Sequence, residues 1–335
     1  MLLLVIGTVT QKELGLYTAQ HTYFSSFIVW LGPIPFPGGY TLMAVFFINL
    51  LMKFLLFSEW AWHKAGIVLT HFGVLLLILG GAFTAATEQE GSVVIGQGET
   101  TSVIEDYHQR ELRILKDGVA VVRIPHQNIS AGMSISIPDT NSSIKIDTYC
   151  FNCAISRRDE TAQSGWTEPG KFMQLKATTP DAQNEQNLTG IEFTWDGQKY
   201  LTFDKFPKPP QRVIDGHSYK IVMGRAEREL PFSITLTAFD RQLHPGTGMA
   251  KSYRSDITIT DGATSWPATI TMNEPLRYRG YTLYQSSFDL SGDKPFTVLS
   301  AVRNTGRAFP YIASLIMTIG LLLHLVIRLR RREPD

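Results

Sequence analysis

The sequence predicts a membrane protein in which α-helical spans flank a large all-β domain outside the bilayer. Two observations support this fold class. Apolar residues crowd into roughly the first ninety and the last thirty positions, and residues 66–87 carry no formal charge. The middle of the chain instead alternates apolar and polar residues in short runs rich in β-branched side chains, as strands do.

Four apolar segments are candidate spans, three of them near the N-terminus. Residues 40–57, 66–87 and 309–327 approach or exceed the length of about 20 residues that a helix needs to cross the hydrocarbon core. Residues 1–9 are apolar but too short, so we predict a short or truncated first span there. Residues 10–39 combine aromatic side chains with three prolines, which predicts an interfacial helix and a proline turn outside the membrane.

Basic residues at the ends of these segments predict the orientation. Lys53 and Lys64 flank the short 58–65 loop, and four arginines follow the last apolar segment: Arg328, Arg330, Arg331 and Arg332. Lys and Arg are enriched in cytoplasmic loops, so we expect both clusters in the cytoplasm. Residues 88–307 then lie on the opposite side of the membrane.

These features divide the chain into three parts: an N-terminal membrane region over 1–87, a β-rich domain over 88–307, and a C-terminal helix with a basic tail over 308–335. Turn signals separate the predicted strands and favour a sandwich or an open barrel. The strands are predicted at 119–124, 143–150, 192–195, 219–223, 232–239 and 255–260.

The segment 66–87 contains one ionisable side chain, His71, and a stripe of small residues. A titratable group inside a span is costly, so its presence points to a function, although a packing histidine bonded to a carbonyl is the simpler alternative. Glycines recur every seven residues and share a face with two threonines, which predicts close packing of another helix. That stripe consists of Gly66, Gly73, Gly80, Thr70 and Thr84. His71 lies on a separate apolar face that suits a flat metal-containing ligand or a partner carrying one.

The last span contains a second histidine, His324, four residues before Arg328. At 1.5 Å per residue, His71 and His324 are predicted at nearly the same depth, in the cytoplasmic half of the membrane. Two neutral imidazoles are suitable axial ligands for haem iron, and Arg328 with Arg330 could then pair with the haem propionates. The alternative is that the His324 side chain only extends toward the membrane interface and binds no ligand.

The two cysteines form a CxxC pair, Cys150 and Cys153. Ala154 follows them where a c-type haem attachment site would need histidine, so the chain is not itself a c-type cytochrome. A structural disulfide requires a turn at Phe151-Asn152, because residues three apart in a strand are too distant to bridge. Redox exchange with a partner is the other interpretation. The net charge of +1 gives no indication of a nucleic-acid partner.

Several long segments, in order along the chain, resemble the ResB/CcsB family of cytochrome c biogenesis proteins. They are IGTVTQKELGLYTAQHTYFSSFIVW at 6–30, AGIVLTHFG at 65–73, the PGT…SYRSDITI run at 245–259, MNEPLRYRGYTLYQSSF at 272–288 and TGRAFPYIA at 305–313. In the 272–288 run, Pro275 and Gly280 predict a turn that leads into a strand over 281–285. We expect a structural β-hairpin there, or else a docking surface.

The resemblance implies a membrane subunit of the system II machinery that exports haem and attaches it to apocytochrome c. The subunit is expected to be non-catalytic alone, within a haem lyase complex that includes a CcsA/ResC-type partner. Haem b is the implied cofactor, carried or transiently bound, and the family's transmembrane histidine matches His71. The family places the second ligand on the partner, in competition with His324.

The expected location is the bacterial inner membrane, with the β domain in the periplasm, rather than a thylakoid membrane. Two other functions are kept open. One is a scaffold that binds apocytochrome without a haem ligand of its own. The other is a membrane-tethered thiol oxidoreductase that uses Cys150 and Cys153.

Overall fold

The computed structural model describes residues 1–247, 250–289 and 295–330. Arg331 and Arg332 of the predicted basic cluster lie outside these residues. Three of the described helices are long and apolar enough to cross a membrane. They are α3 (Gly39–Leu56), α4 (Ala65–Thr87) and α5 (Phe309–Arg330). Their bounds agree with the predicted spans at 40–57, 66–87 and 309–327 to within three residues.

The N-terminal region differs from the prediction in its bounds. The expected first span at 1–9 is a longer helix, α1 (Leu2–Leu14), which continues through Gln11, Lys12 and Glu13 and reaches only about 20 Å. Gly15 ends it with a φ of 74° and lies directly against the carbonyl oxygen of Ala182 in the β domain. The polar end of α1 therefore lies at the β-domain side.

The predicted interfacial helix is present but short, and the proline turn is a β-hairpin. After α2 (Leu16–Ala19) and one π-helical segment (Gln20–Phe24), strands β1 (Ile28–Leu31) and β2 (Ile34–Pro37) pair with each other. A two-stranded ribbon tolerates proline because its outer N–H positions need no partner strand. Gly38 and Thr41 donate hydrogen bonds to the Phe27 carbonyl, which fixes the hairpin to the start of α3.

The region between α4 and α5 is a large domain made almost entirely of strands. In chain order these are β3 (Gln89–Gly96), β4 (Thr100–Lys116), β5 (Val119–Pro125), β6 (Ser134–Ser136), β7 (Ser143–Cys150), β8 (Cys153–Arg157), β9 (Met173–Ala177), β10 (Gly190–Trp195), β11 (Gln198–Phe203), β12 (Gln211–Ile214), β13 (His217–Leu243), β14 (Ala250–Asp261), β15 (Thr264–Thr271), β16 (Leu276–Tyr278), β17 (Tyr281–Asp289) and β18 (Phe296–Arg303). The six predicted strand segments all fall within these strands. Two of them, 219–223 and 232–239, belong to the single long strand β13.

The main sheet is barrel-like and nearly closed. Its strand order is β15-β14-β13-β4-β3-β18-β17-β16, with β12 on β13 and β5 on β4. The two ends of this order meet: the rings of Trp266 and Tyr278 have centroids 4.9 Å apart, and the Tyr278 hydroxyl donates to Asp261 at 2.5 Å. The prediction of an all-β extramembrane domain built as a sandwich or open barrel is confirmed.

The domain contains two hydrophobic cores that share β4 and β13. One core lies inside the barrel-like part and includes Val93, Ile104, Ile234, Ile257 and Leu299. In the other core, the smaller sheet β11-β10-β7-β6 packs on the C-terminal half of β4 and the N-terminal half of β13. Each core buries alternate residues of its strands, so the period-two pattern in the sequence and the layered packing have the same origin.

The hairpin expected in the 272–288 run is present. Strands β16 and β17 pair through a two-residue turn, Arg279-Gly280, and both turn residues have positive φ, 46° and 81°. A two-residue hairpin turn of this kind favours glycine because only glycine adopts that conformation without cost. The run therefore has a clear structural role in the barrel-like sheet.

Candidate functional site in the membrane helices

The small-residue stripe of α4 packs directly on α5. Gly66 and Gly73 face the backbone and side chains of His324, Gly320 and Met317, and Gly80 faces the Phe309 ring. A Cβ atom on Gly320 would lie 2.6 Å from Thr70 Oγ1, so the approach is close from both sides. The predicted packing face is therefore occupied by the last helix of the same chain. We call this contact the α4–α5 seam.

His71 lies on a different face of α4. It follows Gly66 by five residues, which places it about 140° around the helix from the α4–α5 seam. Phe72 and Leu69, which lie on the α3 side, line an apolar groove with Phe54 of α3, but His71 does not line it. The face with His71 also carries Ile67, which is 39% exposed. That face is only partly open, because His71 itself is half-buried and Leu75, one turn further along the helix, is 6% exposed.

The ring of His71 is held by a hydrogen bond within its own helix. Its Nδ1 lies 2.9 Å from the carbonyl oxygen of Ile67. Since a carbonyl can only accept, Nδ1 carries the proton and the Nε2 lone pair of the neutral ring is left free. Metal-ligating histidines commonly show this arrangement, with one nitrogen bonded to a carbonyl and the other available to the metal.

His324 lies in the α4–α5 seam rather than opposite His71. Its backbone nitrogen and Cα lie against Gly66, and its Nδ1 is buried without a hydrogen bond to any described residue. His324 lies level with Gly66, so His71 stands about 7.5 Å further toward the β domain, and the predicted equal depth is wrong. The two histidines also project from different parts of the helix pair, so this geometry does not favour one haem held between them.

Basic side chains gather at the end of the helices near His71. Lys53 lies in the last turn of α3, Lys64 precedes α4, and Arg328 and Arg330 lie in the last turn of α5. Because Gly66 lies beside His324, the start of α4 and the end of α5 are at the same level. The basic groups thus occupy the membrane face opposite the β domain, and Arg328 is exposed there.

This arrangement can ligate a metal-containing ring. An apolar helix face with one imidazole nitrogen free offers an axial ligand to iron together with an uncharged surface for the porphyrin ring. The nearby arginines could meet the propionates as charge-assisted donors.

The cysteine pair lies in the β domain, far along the chain from this helix face. Cys150 ends β7, Cys153 begins β8, and a disulfide joins them across the Phe151-Asn152 turn. Both are buried, at 3% and 5% exposure, among Leu175 and Phe203. A disulfide covered in this way has little access to a protein partner.

The sequence analysis did not anticipate a pocket at the other end of α4. It has a volume of about 640 Å³ and lies between the 17–25 segment, the last turns of α4 and the membrane-facing side of the β domain. His21 and His108 both line it. Neither histidine belongs to a regular repeat of apolar and polar residues. His21 comes from a short irregular segment, and His108 comes from the stretch of β4 where the pairing with β13 shifts register.

Comparison with known proteins supports a family for the chain. Residues 212–298, from β12 into β18, match the model of the ResB-like family. A stretch of 115 residues, 34% of the chain, is 30% identical to Protein NrfI from Wolinella succinogenes.

The chain covers only 12% of the length of that relative. The matched family segment covers the part of the barrel-like sheet from β12 to the start of β18, including the β16–β17 hairpin, and excludes the membrane helices. Over this segment the chain is similar to the ResB-like family, the same family that its sequence resembles.

Proposed function

We propose that the chain is a membrane subunit of a system II cytochrome c synthase. In this proposal it receives haem on the face of α4 that carries His71 and helps to present it for attachment to apocytochrome c. The ResB-like segment and the resemblance to Protein NrfI support a role in cytochrome c biogenesis. The Nε2 of His71, left free by the Nδ1 bond to the Ile67 carbonyl on an apolar helix face, is the observation that supports haem binding.

The second axial ligand comes from a CcsA/ResC-type partner. His71 lies on a different face of α4 from the α4–α5 seam, so His324 is poorly placed to complete the coordination. The exposed Ile67 leaves part of the His71 face open to a helix of another subunit. Haem then lies between two chains, where burial on both sides excludes water from the iron. The attachment reaction needs this protection, because the thiols and the haem must both stay reduced while thioether bonds form across the haem vinyl groups.

The orientation follows from the basic residues. Lys53, Lys64, Arg328 and Arg330 lie at one membrane face, which the enrichment of basic residues in cytoplasmic loops assigns to the cytoplasm. The β domain then lies in the periplasm of a bacterial inner membrane. A reporter active only outside the cytoplasm should be active when inserted near Asn187 and silent after Arg330; the reverse pattern would overturn this orientation.

The decisive experiment is His71→Ala in the chain co-purified with its partner. Alanine preserves the helix and removes a polar group from the membrane, so the amount of protein should not fall. Haem absorbance should drop by most of its wild-type value, and added imidazole should restore part of it. His63→Ala, eight residues earlier in the connecting loop, is the matched control and should keep its haem.

A wild-type haem spectrum in His71→Ala would overturn the ligand assignment. If that variant also matured cytochrome normally, the chain would be a scaffold that positions apocytochrome and partner without binding haem itself.

A further inference from the structure

The pocket at the β-domain end of α4 lies where the membrane helices meet the β domain. Its walls are the last turns of α4, the starts of α3 and α5, the 17–25 segment and the facing side of the β domain. Leu77 and Glu88 both line it and are eleven residues apart, which is about 16 Å along the helix. The pocket therefore reaches from the membrane surface well into the hydrocarbon of the leaflet on that side.

The lining changes from apolar to charged along this depth. The lower part is formed by Leu77, Gly81 and Ala85 of α4, which are exposed and so face lipid in a membrane. No atom lies within 4 Å of a Cβ added to Gly81, so this part has open space. The upper part carries carboxylates, guanidinium groups and aromatic rings. An amphiphile matches this lining better than a wholly polar or a wholly apolar solute does.

The charges of the upper part are only partly paired with one another. Asp106 and Arg228 form an ion pair at 3.5 Å. Glu88 and Glu90 pair with no cation of the part of the chain that the structure describes. Arg307 is exposed and likewise pairs with no described carboxylate. A ligand in the pocket therefore meets two negative groups and one positive group that lack an ionic partner within the chain.

The two unpaired carboxylates favour a cation. Partial burial raises the pKa of Glu90, and the neighbouring charge of Glu88 raises it further, so an ionised Glu90 is costly unless a positive group lies beside it. The rings of Tyr17 and Tyr107 line the same pocket, and aromatic rings attract ammonium groups. A primary ammonium can also donate hydrogen bonds to both carboxylates, which a trimethylammonium cannot.

We propose that this pocket binds one phospholipid with a zwitterionic, primary-amine headgroup, of the phosphatidylethanolamine class, from the leaflet on the β-domain side. Its ammonium lies against Glu88 and Glu90, its phosphate against Arg307, and its acyl chains pass Leu77 and Gly81 into the bilayer. An anionic lipid such as phosphatidylglycerol would place no cation beside the two carboxylates and would be repelled by them. The inference does not rest on the proposed haem-handling function.

The first test measures which lipid the chain retains. The full chain, purified in mild detergent, is mixed with equal amounts of phosphatidylethanolamine and phosphatidylglycerol that carry the same acyl chains, and is examined by native mass spectrometry. The wild type should retain one phosphatidylethanolamine under conditions that remove the other lipids. Arg307→Gln should weaken retention roughly tenfold, because a charge-assisted bond to the phosphate is lost. Arg303→Gln, four residues earlier and outside the pocket lining, is the matched control and should retain the lipid.

Two further variants test the headgroup and the acyl chains separately. Glu88→Gln combined with Glu90→Gln should reverse the preference toward phosphatidylglycerol, because the repulsion is removed while Arg307 still binds phosphate. Glu274→Gln, an exposed carboxylate outside the pocket, is the control for that change. Gly81→Leu adds a side chain where the helix has room for it and should reduce retention of both lipids by filling the apolar part of the pocket.

Three results would overturn the inference. One is equal retention of the two lipids by the wild type. Another is a wild-type preference that persists in both the Arg307 variant and the double carboxylate variant. The third is displacement of the retained lipid by an equal concentration of glycerophosphoethanolamine, which carries the headgroup without acyl chains, since this would assign the pocket to a small water-soluble solute.

Discussion

Gly66 of α4 lies so close to His324 of α5 that a methyl group on Gly66 would overlap the backbone nitrogen of His324. The contact fixes the two helices against each other at the level of His324. The Nδ1 of His324 is buried and has no hydrogen-bond partner among the described residues. The glycine stripe thus sets which histidine is available to a ligand on the outside of the helix pair.

The first prediction concerns this contact. Gly66→Ala should lower the unfolding midpoint of the chain in detergent, because overpacking of a tight contact costs about 1–3 kcal/mol. Gly81→Ala is the matched control: it lies in the same helix but has no neighbouring atom within 4 Å of an added Cβ. Helix propensity favours alanine by about 1 kcal/mol at both positions, so Gly81→Ala should be neutral or stabilising. Equal unfolding midpoints for Gly66→Ala and Gly81→Ala would contradict the close packing in the α4–α5 seam.

The second prediction separates the roles of the two membrane histidines. His324→Ala should leave the haem absorbance of the chain and its partner near the wild-type value, because His324 packs in the seam. The change also removes an unbonded polar nitrogen from a buried site, so stability should not fall through a lost hydrogen bond. Haem loss as large as that of His71→Ala would instead restore an intrachain ligand pair.

The sequence predicted what depends on local pattern. Hydrophobic length located α3, α4 and α5, period-two alternation located β7 and β14, and the stripe of Gly66, Gly73 and Gly80 predicted a packing face. Each of these signals arises from a regular repeat of side chains along one element.

The parts that escaped prediction depend on contacts between distant segments. The partner of the glycine stripe, the joining of two predicted strands into β13, and the meeting of Tyr17 with His108 are set by tertiary packing. The predicted proline turn is present at Gly32-Pro33, but the flanking strands were not predicted, because Pro35 and Pro37 are tolerated in a two-stranded ribbon.

The third prediction concerns the cysteine pair. Replacing Cys150 and Cys153 with serine should lower the stability of the β domain by about 2 kcal/mol, the chain-entropy value for so short a loop. Cytochrome maturation per molecule of protein in the membrane should stay unchanged, because both sulfur atoms are buried away from a redox partner. Normal accumulation combined with failed maturation would support the thiol oxidoreductase interpretation.

The fourth prediction concerns the buried ion pair of Arg110 and Asp204, which lies between the two cores of the β domain. Arg110 is 1% exposed, lies between Ile104 of one core and Leu112 of the other, and has its Nε 3.4 Å from Asp204 Oδ2. Arg110→Met should destabilise the domain by about 3–5 kcal/mol, because it leaves Asp204 buried without its partner. Adding Asp204→Asn should recover part of that loss in urea unfolding. Additive losses in the double variant would show that the two groups are not coupled.

The fifth prediction is a dependence of stability on pH that arises from His126. Its Nδ1 lies 3.0 Å from the Tyr149 hydroxyl and its ring stacks on Phe151, with centroids 5.0 Å apart. Burial, and secondarily the charge of Arg110, lower the pKa of His126 below its ordinary value of 6.5. As the pH falls below about 6.5, the unfolded chain therefore takes up a proton at this position before the folded chain does, and stability falls. This contribution is fully present above that pH and is lost on acidification down to the lowered pKa.

His126→Gln retains a group that can bond to Tyr149 but does not titrate. Its unfolding midpoint should fall less than that of the wild type between pH 7.5 and pH 5.5, and His217→Gln, on the exposed His217–Asp117 pair, serves as the surface control. For each protein, the quantity measured is the difference between its unfolding midpoints at pH 7.5 and at pH 5.5. Other groups that titrate in this range shift the wild type and the variant alike, so they cancel in the comparison. An equal fall in wild type and His126→Gln would mean that this buried histidine does not contribute to acid sensitivity.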